Sequence, residues 1–386
     1  MDDFIRPTLL VGLFKPPEEL SAAVVMELLY YYALAHQTSF DVRWIANKSI
    51  NEKIISPLAM MLKSKYGDDF NVIGNARVEK IHFNEASQQV TGVDYQRLDT
   101  GETVSIEDIT ASVLAVGAKG LKSIMAKSPA LAFASPELSK ASSLNSIDVI
   151  ACRFWLDRNV TTRSPANVFA RFPELRGAGG TFFMLDQLQG NMPELWGGEE
   201  PQGSVVSCDF YNAGALLPLS PESIRDVLIE KLLPAAVPGF RDAKVLDFYV
   251  QKYPGAVSWF SPGSFASRPP VILPGNRLLM SFSTQLLLMD CINPAGIRNL
   301  CCAGDWVRMG DREHGAKGLC QERAFVSGIE AANSLARAGA LGPSNTFEKK
   351  IAPIRDDELQ VKLGRNLNKN VMSLLRPLKL DSPWVR

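Results

Sequence analysis

Apolar positions in this chain switch between a helical period and short solid runs, and the two patterns sort it into elements. Residues 20–35 form an apolar stretch that contains Glu27 and follows Pro16 and Pro17. It is too short to cross a bilayer and reads as a buried helix, with Tyr30, Tyr31 and Tyr32 as core aromatics. Ser49 and Glu52 form a capping box that opens a helix to about Lys65. Ile50, Ile54, Leu58 and Met61 or Leu62 fall on one face of it, and Gly67 stops it. Pro57 lies inside this span, so a kink or a second start is expected there. Residues 77–83 and 90–95 read as a hairpin turned at 84–89. Residues 111–116 and 299–303 are short and solidly apolar, which predicts buried strands, the first covered on both faces.

The middle of the chain reads as strands at 149–156, 204–211, 245–253 and 277–282. One helix interrupts them, with Ser220 as N-cap, Pro221 at the first helical position and an end near Leu233-Pro234. Strands joined by long irregular connections predict an antiparallel sheet. Residues 173–203 and 254–274 hold much of the glycine and proline and are expected to be the most mobile loops. A helix over 318–338, closed by Gly339, carries Ala324, Gly328 and Ala331 on one stripe, which predicts close approach to a neighbour. The tail places Leu359, Leu363, Leu367, Val371 and Leu374 at helical spacing behind Asp356, Asp357 and Glu358. It reads as a packing or homodimer helix. Peripheral contact with a membrane surface through Lys362, Arg365 and Lys369 is the second reading.

Composition narrows the classes. Apolar content of 46% and charged content of 21% over 386 residues suit one large globular domain or two intertwined ones. Lys plus Arg equals Asp plus Glu at 41 each, so no basic excess points to nucleic acid. The six cysteines form no C-x-x-C, and three histidines provide no zinc-ligand spacing. They read as buried free thiols. Met1-Asp2-Asp3 is acidic where a targeting peptide would be basic.

The chemistry concentrates near the end of the chain. Residues 299–305 (NLCCAGD) read as a strand ending in Ala-Gly-Asp, and residues 322–328 (ERAFVSG) follow on a helix. Glycine at the strand end allows close approach, and the Asp305 carboxylate can accept hydrogen bonds from hydroxyls. This pair resembles the C-terminal flavin-binding signature of the flavin-containing amine oxidase and phytoene desaturase superfamily, in its carotenoid-desaturase-like plastid branch. The resemblance runs from about Phe40 to Asn333 and includes Arg77-Val78, Leu114 to Gly117 and Phe260 to Gly263. One family element has no counterpart, the G-x-G-x-x-G turn. Gly177 to Gly180 comes nearest and has Phe182 where the last glycine would stand. The chain therefore reads as such a flavoprotein that begins partway through its fold, either as a truncated form or as a non-catalytic derivative acting as partner or scaffold.

The resemblance implies an α/β plus α+β architecture. An incomplete FAD-binding, Rossmann-like domain would take residues 40–141 and 283–345. A substrate domain on an antiparallel sheet would take 1–39 and 142–282, and 346–386 would be a helical tail. It implies FAD as cofactor, with Val78, Ala115, Gly117, Gly304, Asp305, Gly315, Ser327 and Gly328 around it. It also implies an apolar, carotenoid-like substrate, a quinone or oxygen as electron acceptor, and a chloroplast location. His314 as a proton relay and Cys320 as a redox thiol are weaker candidates, better read as a turn histidine and a buried thiol.

Overall fold

The computed structural model describes residues 5–29, 49–190, 192–273, 297–310, 321–341, 348–353, 359–375 and 377. The expected strand at 277–282, the tyrosine cluster at 30–32, and Gly315, His314 and Cys320 lie outside these residues. The described chain mixes helices with two antiparallel sheets and one parallel pair of strands.

Helices α1 (Ile5–Gly12) and α2 (Ala22–Leu29) open the fold. The second starts later than the apolar run suggests, because Pro17–Glu19 forms a separate 3-10 turn. The capping box is present, with the Glu52 N–H donating to Ser49 Oγ at 3.2 Å and the Ser49 N–H to Glu52 Oε2 at 3.0 Å. A wide π turn, Asn51–Ile55, then leads into α3 (Ser56–Tyr66). The π turn sits just before Pro57, and another, Leu228–Leu232, sits just before Pro234. Proline donates no N–H and its ring crowds the carbonyl four residues back, so the helix widens locally instead of breaking. The apolar face expected to pack is open: Ile50, Ile54, Leu58 and Met61 are all exposed.

Strands β1 (Ala76–Asn84) and β2 (Gln89–Arg97) form the expected hairpin, and β3 (Thr103–Glu107) extends it. Strand β4 (Ser112–Leu114) pairs in parallel with β10 (Leu300–Cys302), register Leu300 to Ser112. Coverage on both faces holds for β10, whose three residues are buried, but not for β4. Val113 and Ala115 are exposed, and among the described residues β4 pairs with a strand on one side only. The other side of β10 is taken by residues 270–272, through an antiparallel bridge from Ile272 to Cys301 and a bond from Cys302 N–H to Val271 O at 2.9 Å.

Three helices, α4 (Gly117–Lys127), α5 (Pro129–Ala134) and α6 (Pro136–Ala141), follow β4. Their Leu121, Ile124, Leu131 and Leu138 share one core with Ile81, Val90, Leu114, Leu300 and Ala331. The hairpin, the β4 run and the β10 run thus meet around one core despite their separation in sequence.

The second core lies under a five-stranded sheet ordered β6-β7-β8-β5-β9. Its strands are β5 (Ser146–Leu156), β6 (Ala166–Phe169), β7 (Gly179–Met184), β8 (Val205–Tyr211) and β9 (Val245–Ser258). The expected loop at 173–203 is corrected here. It contains β7 and the short helix α7 (Leu185–Gln189), and β9 runs on into the segment 254–258 read as loop. Those glycines mark packing rather than mobility: a Cβ on Gly180 would sit 3.0 Å from the Phe169 ring and 3.1 Å from the Phe210 ring. Helix α8 (Pro221–Val227) is capped by Ser220 as expected, and α9 (Leu233–Ala236) carries it past Pro234.

Helix α10 (Gln321–Arg337) backs onto β10, with Ala331 and Leu335 in the first core. Close approach at Gly328 is not found; a Cβ there would meet nothing within 4 Å. The buried stripe runs instead through Arg323, Ser327, Glu330, Ala331 and Ser334, about 80° around the helix. Gly328→Val is therefore expected to leave the melting temperature within about 2 °C of the parent, as for a surface substitution. A larger drop in a thermal melt would restore the close-packing reading. Helix α11 (Leu359–Leu375) has no buried residue, and its Leu359, Leu363, Leu367 and Leu374 are exposed among the described residues, where a packing helix was expected.

Candidate functional site

The carboxyl ends of β4 and β10 point the same way because the two strands are parallel. Each chain segment turns there, one into Gly117 and α4, the other into Gly304 and Asp305. Between them lies a cavity of about 130 Å³. Its walls are the first turn of α4 from Val116 to Lys119, the last part of β9 from Gly255 to Ser258, Ser146, and Asp305. The cavity sits where the first core meets the five-stranded sheet. Lys119 Nζ donates to Pro254 O at 2.5 Å and the Gly255 N–H donates to Asp148 Oδ1 at 2.7 Å, so both walls are tied together.

Of the sequence candidates, Gly117 and Asp305 line this cavity. Gly304 adjoins it with φ +121°, and a Cβ there would lie 2.5 Å from Trp306 Cδ1, so only glycine fits. Trp306 is held by its own Nε1–H bond to Ala303 O at 2.7 Å. Ser327 anchors the turn from α10: its Oγ accepts from the Gly304 N–H at 2.9 Å and donates to Ala324 O at 2.9 Å. Val78 pairs with Tyr95 in β1 and packs toward the first core, away from the cavity walls. Ala115 is exposed, and Gly328 faces open space.

Two residues went unread in the sequence. Arg268 and Arg323 are both buried, at 1% and 0% exposure, and both act on Asp305. Burial pushes the Asp305 carboxyl above the usual carboxylate range, and the two guanidinium groups pull it back. Arg268 stacks over the Phe260 ring, 3.8 Å from its centroid, and donates to Asp305 O at 3.4 Å. A signal existed for Arg323: it heads the stripe 323, 327, 330, 334, so its charge falls on the buried face of α10. Arg268 lies in an irregular segment where no period could have found it.

The shape and chemistry of the cavity fit part of a flavin dinucleotide. Gly117, with φ +66°, has nothing within 4 Å of the place a Cβ would take. The α4 N-terminus beside it carries no side-chain cap, so its first-turn N–H groups are left for a ligand or water. Asp305 supplies an acceptor for hydroxyls. These features suit a polyol-phosphate segment. The cavity is well below the several hundred Å³ of a typical cofactor site. A cavity of this size could enclose part of such a group, not the whole.

A second ionisable site lies on the sheet face turned away from the second core. The strand register sets Thr181, Asp209, Ala151 and Gln251 side by side across four strands. Tyr211, two residues on, bonds through its hydroxyl with Thr181 Oγ1 at 3.1 Å. Burial raises the Asp209 carboxyl to about 6, with Arg153 opposing the rise. The folded chain thus holds this proton after the unfolded chain has released it. Stability falls as pH rises from about 4 to about 6, and the loss persists above that. Asp209→Asn is therefore expected to stabilise the protein by about 2–3 kcal/mol at pH 8 and by almost nothing at pH 3.5. Urea midpoints at the two pH values check this; an equal gain at both would show that the carboxylate is not desolvated.

No protein-family model matches this chain, and no curated protein matches it. Among solved structures it is similar to a cyclohexylamine oxidase from Brevibacterium oxydans IH-35A, at TM-score 0.49 and 12% identity, over 87% of this chain and 63% of that one. It is also similar to an oxidoreductase from Methanosarcina mazei, at TM-score 0.47 and 12% identity, over 85% of this chain and 63% of that one. The chain thus spans less than two thirds of the length of either neighbour. At these scores and identities the likeness is too loose to assign an activity.

Proposed function

We propose that this chain contributes the Asp305 side of a flavin site in a flavin-dependent oxidoreductase acting on an apolar substrate. One observation carries the reading. The motif pair that resembles a flavin-binding signature folds so that Asp305, with Gly304 and Ser327 bonded together next to it, faces the N-terminus of α4 across one cavity. The flavin, when bound, would supply the hydride or electron chemistry. The chain's own residues position and exclude. The Asp305 carboxylate accepts hydroxyl hydrogens, the first-turn N–H groups of α4 face the anionic part, and Ser327 fixes Gly304 against α10. Burial raises the Asp305 carboxyl above the usual range, and Arg268 and Arg323 oppose that rise. The finer reading, that the substrate is carotenoid-like and the electron acceptor a quinone or oxygen, rests on the motif resemblance alone.

The test is a fluorescence titration of the purified chain with FAD, riboflavin and ADP-ribose. FAD and riboflavin should bind, and ADP-ribose should bind worse than either. Asp305→Ala should weaken flavin binding by about 1.5–3 kcal/mol, roughly one to two decades, by removing a charged acceptor. Flavin affinity that is absent, or unmoved by Asp305→Ala, overturns the reading. A second reading then takes its place, a non-catalytic scaffold of the same fold. Two observations favour it: the sequence holds no G-x-G-x-x-G turn, and the cavity has room for only part of a dinucleotide.

A further inference from the structure

The hairpin of α1 and α2 reaches the Asp305 turn through one stack of side chains. Leu9, Leu13, Leu20, Val24 and Leu28 form a small core of their own, and its sixth buried member is Phe260, from the segment that leaves β9. Two bonds dock that segment on the hairpin. The Ser21 N–H donates to Phe260 O at 2.9 Å, and Trp259 Nε1–H donates to Glu19 O at 2.9 Å. Lys15 Nζ lies over the Trp259 ring, 4.3 Å from its centroid. Phe260 is 1% exposed, and the Arg268 guanidinium lies over its ring. Arg268 in turn donates to Asp305 O at 3.4 Å.

A bond of 3.4 Å orients its donor weakly, whereas a desolvated guanidinium over an aromatic face is held by charge and by contact together. Leucine at 260 would still fill the apolar cluster but would offer no negative ring face. We infer that Phe260 is a positioning residue: anchored in the α1–α2 cluster, its ring seats Arg268 against the Asp305 turn, so the N-terminal hairpin is part of the ligand site. The inference deepens the flavin reading and rests on it for what the site binds. Among the described residues, the charged groups facing Asp305 are Arg268, Arg323 from α10 and, across the cavity, Lys119 from α4. Residues 255–258 of β9 bring none. Burial acts most strongly on the carboxyl, and Arg268 is the larger of the two cations that oppose it. A slackened seat therefore raises the pH at which Asp305 takes up its proton. The charged acceptor is then lost from a higher pH downward.

The experiment has a ligand-free arm and a flavin arm, both on the full chain. In the first, carboxyl carbon-13 shifts of labelled aspartates are followed against pH, with Asp305→Asn identifying the signal. Phe260→Leu should move the Asp305 titration to higher pH, the direction expected of Arg268→Met. Phe260→Tyr keeps the ring face and should return it to the parent position. Phe260→Met takes the place of Phe260→Leu should the latter not fold. In the second arm, FAD should bind Phe260→Leu about 3- to 10-fold more weakly than the parent at neutral pH, part of the loss expected for Asp305→Ala, and the deficit should grow as pH falls. An Asp305 titration that Arg268→Met moves and Phe260→Leu does not overturns the inference, because something other than the ring then seats Arg268. So does a titration that neither variant moves. Flavin affinity absent from the parent fails the flavin reading alone, and the carboxyl arm then decides the seat by itself.

Discussion

Replacing Asn299 with leucine is expected to lower the folding stability by about 2–6 kcal/mol. The residue is 3% exposed and its side chain acts as a piece of strand. Asn299 Oδ1 accepts from the Val90 N–H at 2.9 Å, and Asn299 Nδ2 donates to Val90 O at 2.8 Å. Val90 is itself 1% exposed, so water cannot replace either bond. These two bonds join the β1-β2-β3 hairpin sheet to the parallel pair, where the Asn299 carbonyl also accepts from Ser112 N–H at 2.8 Å. Leucine keeps the γ-branched shape and is the larger side chain, so the loss is not a cavity effect. It is the cost of two buried backbone groups left unpaired, about 1–3 kcal/mol each. Urea unfolding with an unchanged slope and a lowered midpoint is the expected signature. A loss under 1 kcal/mol would mean that the hairpin is held to the pair by apolar contact alone.

Phe210→Ala is expected to cost about 3–5 kcal/mol, and it probes the other core. Phe210 is 1% exposed on β8, with the Phe169 ring stacked 6.4 Å away and nearly parallel. The residue across from it in the register is Gly180, which has no side chain to move into the space. The neighbours sit on hydrogen-bonded strands and cannot collapse far, so most of the vacated volume stays empty. Calorimetry on Phe210→Ala and on Gly180→Ala makes a pair of measurements. The glycine change should also destabilise, by overpacking against the same two rings. If Phe210→Ala costs less than 1 kcal/mol, the sheet does not close its core as described.

The sequence by itself determined what short-range chemistry can dictate. The capping box at Ser49, the serine cap and proline at 220–221, and the strands near 149–156 and 204–211 were legible, because caps, proline and apolar runs act on their own neighbours. The Ala-Gly-Asp turn was legible as a candidate for the same reason. Where tertiary neighbours intrude, local signals misled. Gly179 and Gly180 looked like loop residues, yet they are glycine because Leu10, Phe169 and Phe210 press on them. The β4 run looked covered on both faces, yet Val113 is exposed and β4 pairs on one side only among the described residues. A period can show that a helix has an apolar face, as it does for α3 and α11, but not whether anything covers that face. Which candidates meet was also beyond the sequence. Gly117 and Asp305 share a cavity because β4 and β10 pair in parallel, while Val78 and Gly328 point elsewhere. Burial and pairing are properties of segments distant in the chain. Only the tertiary structure could place Arg268 beside Asp305, where its charge opposes the rise that burial imposes on the carboxyl.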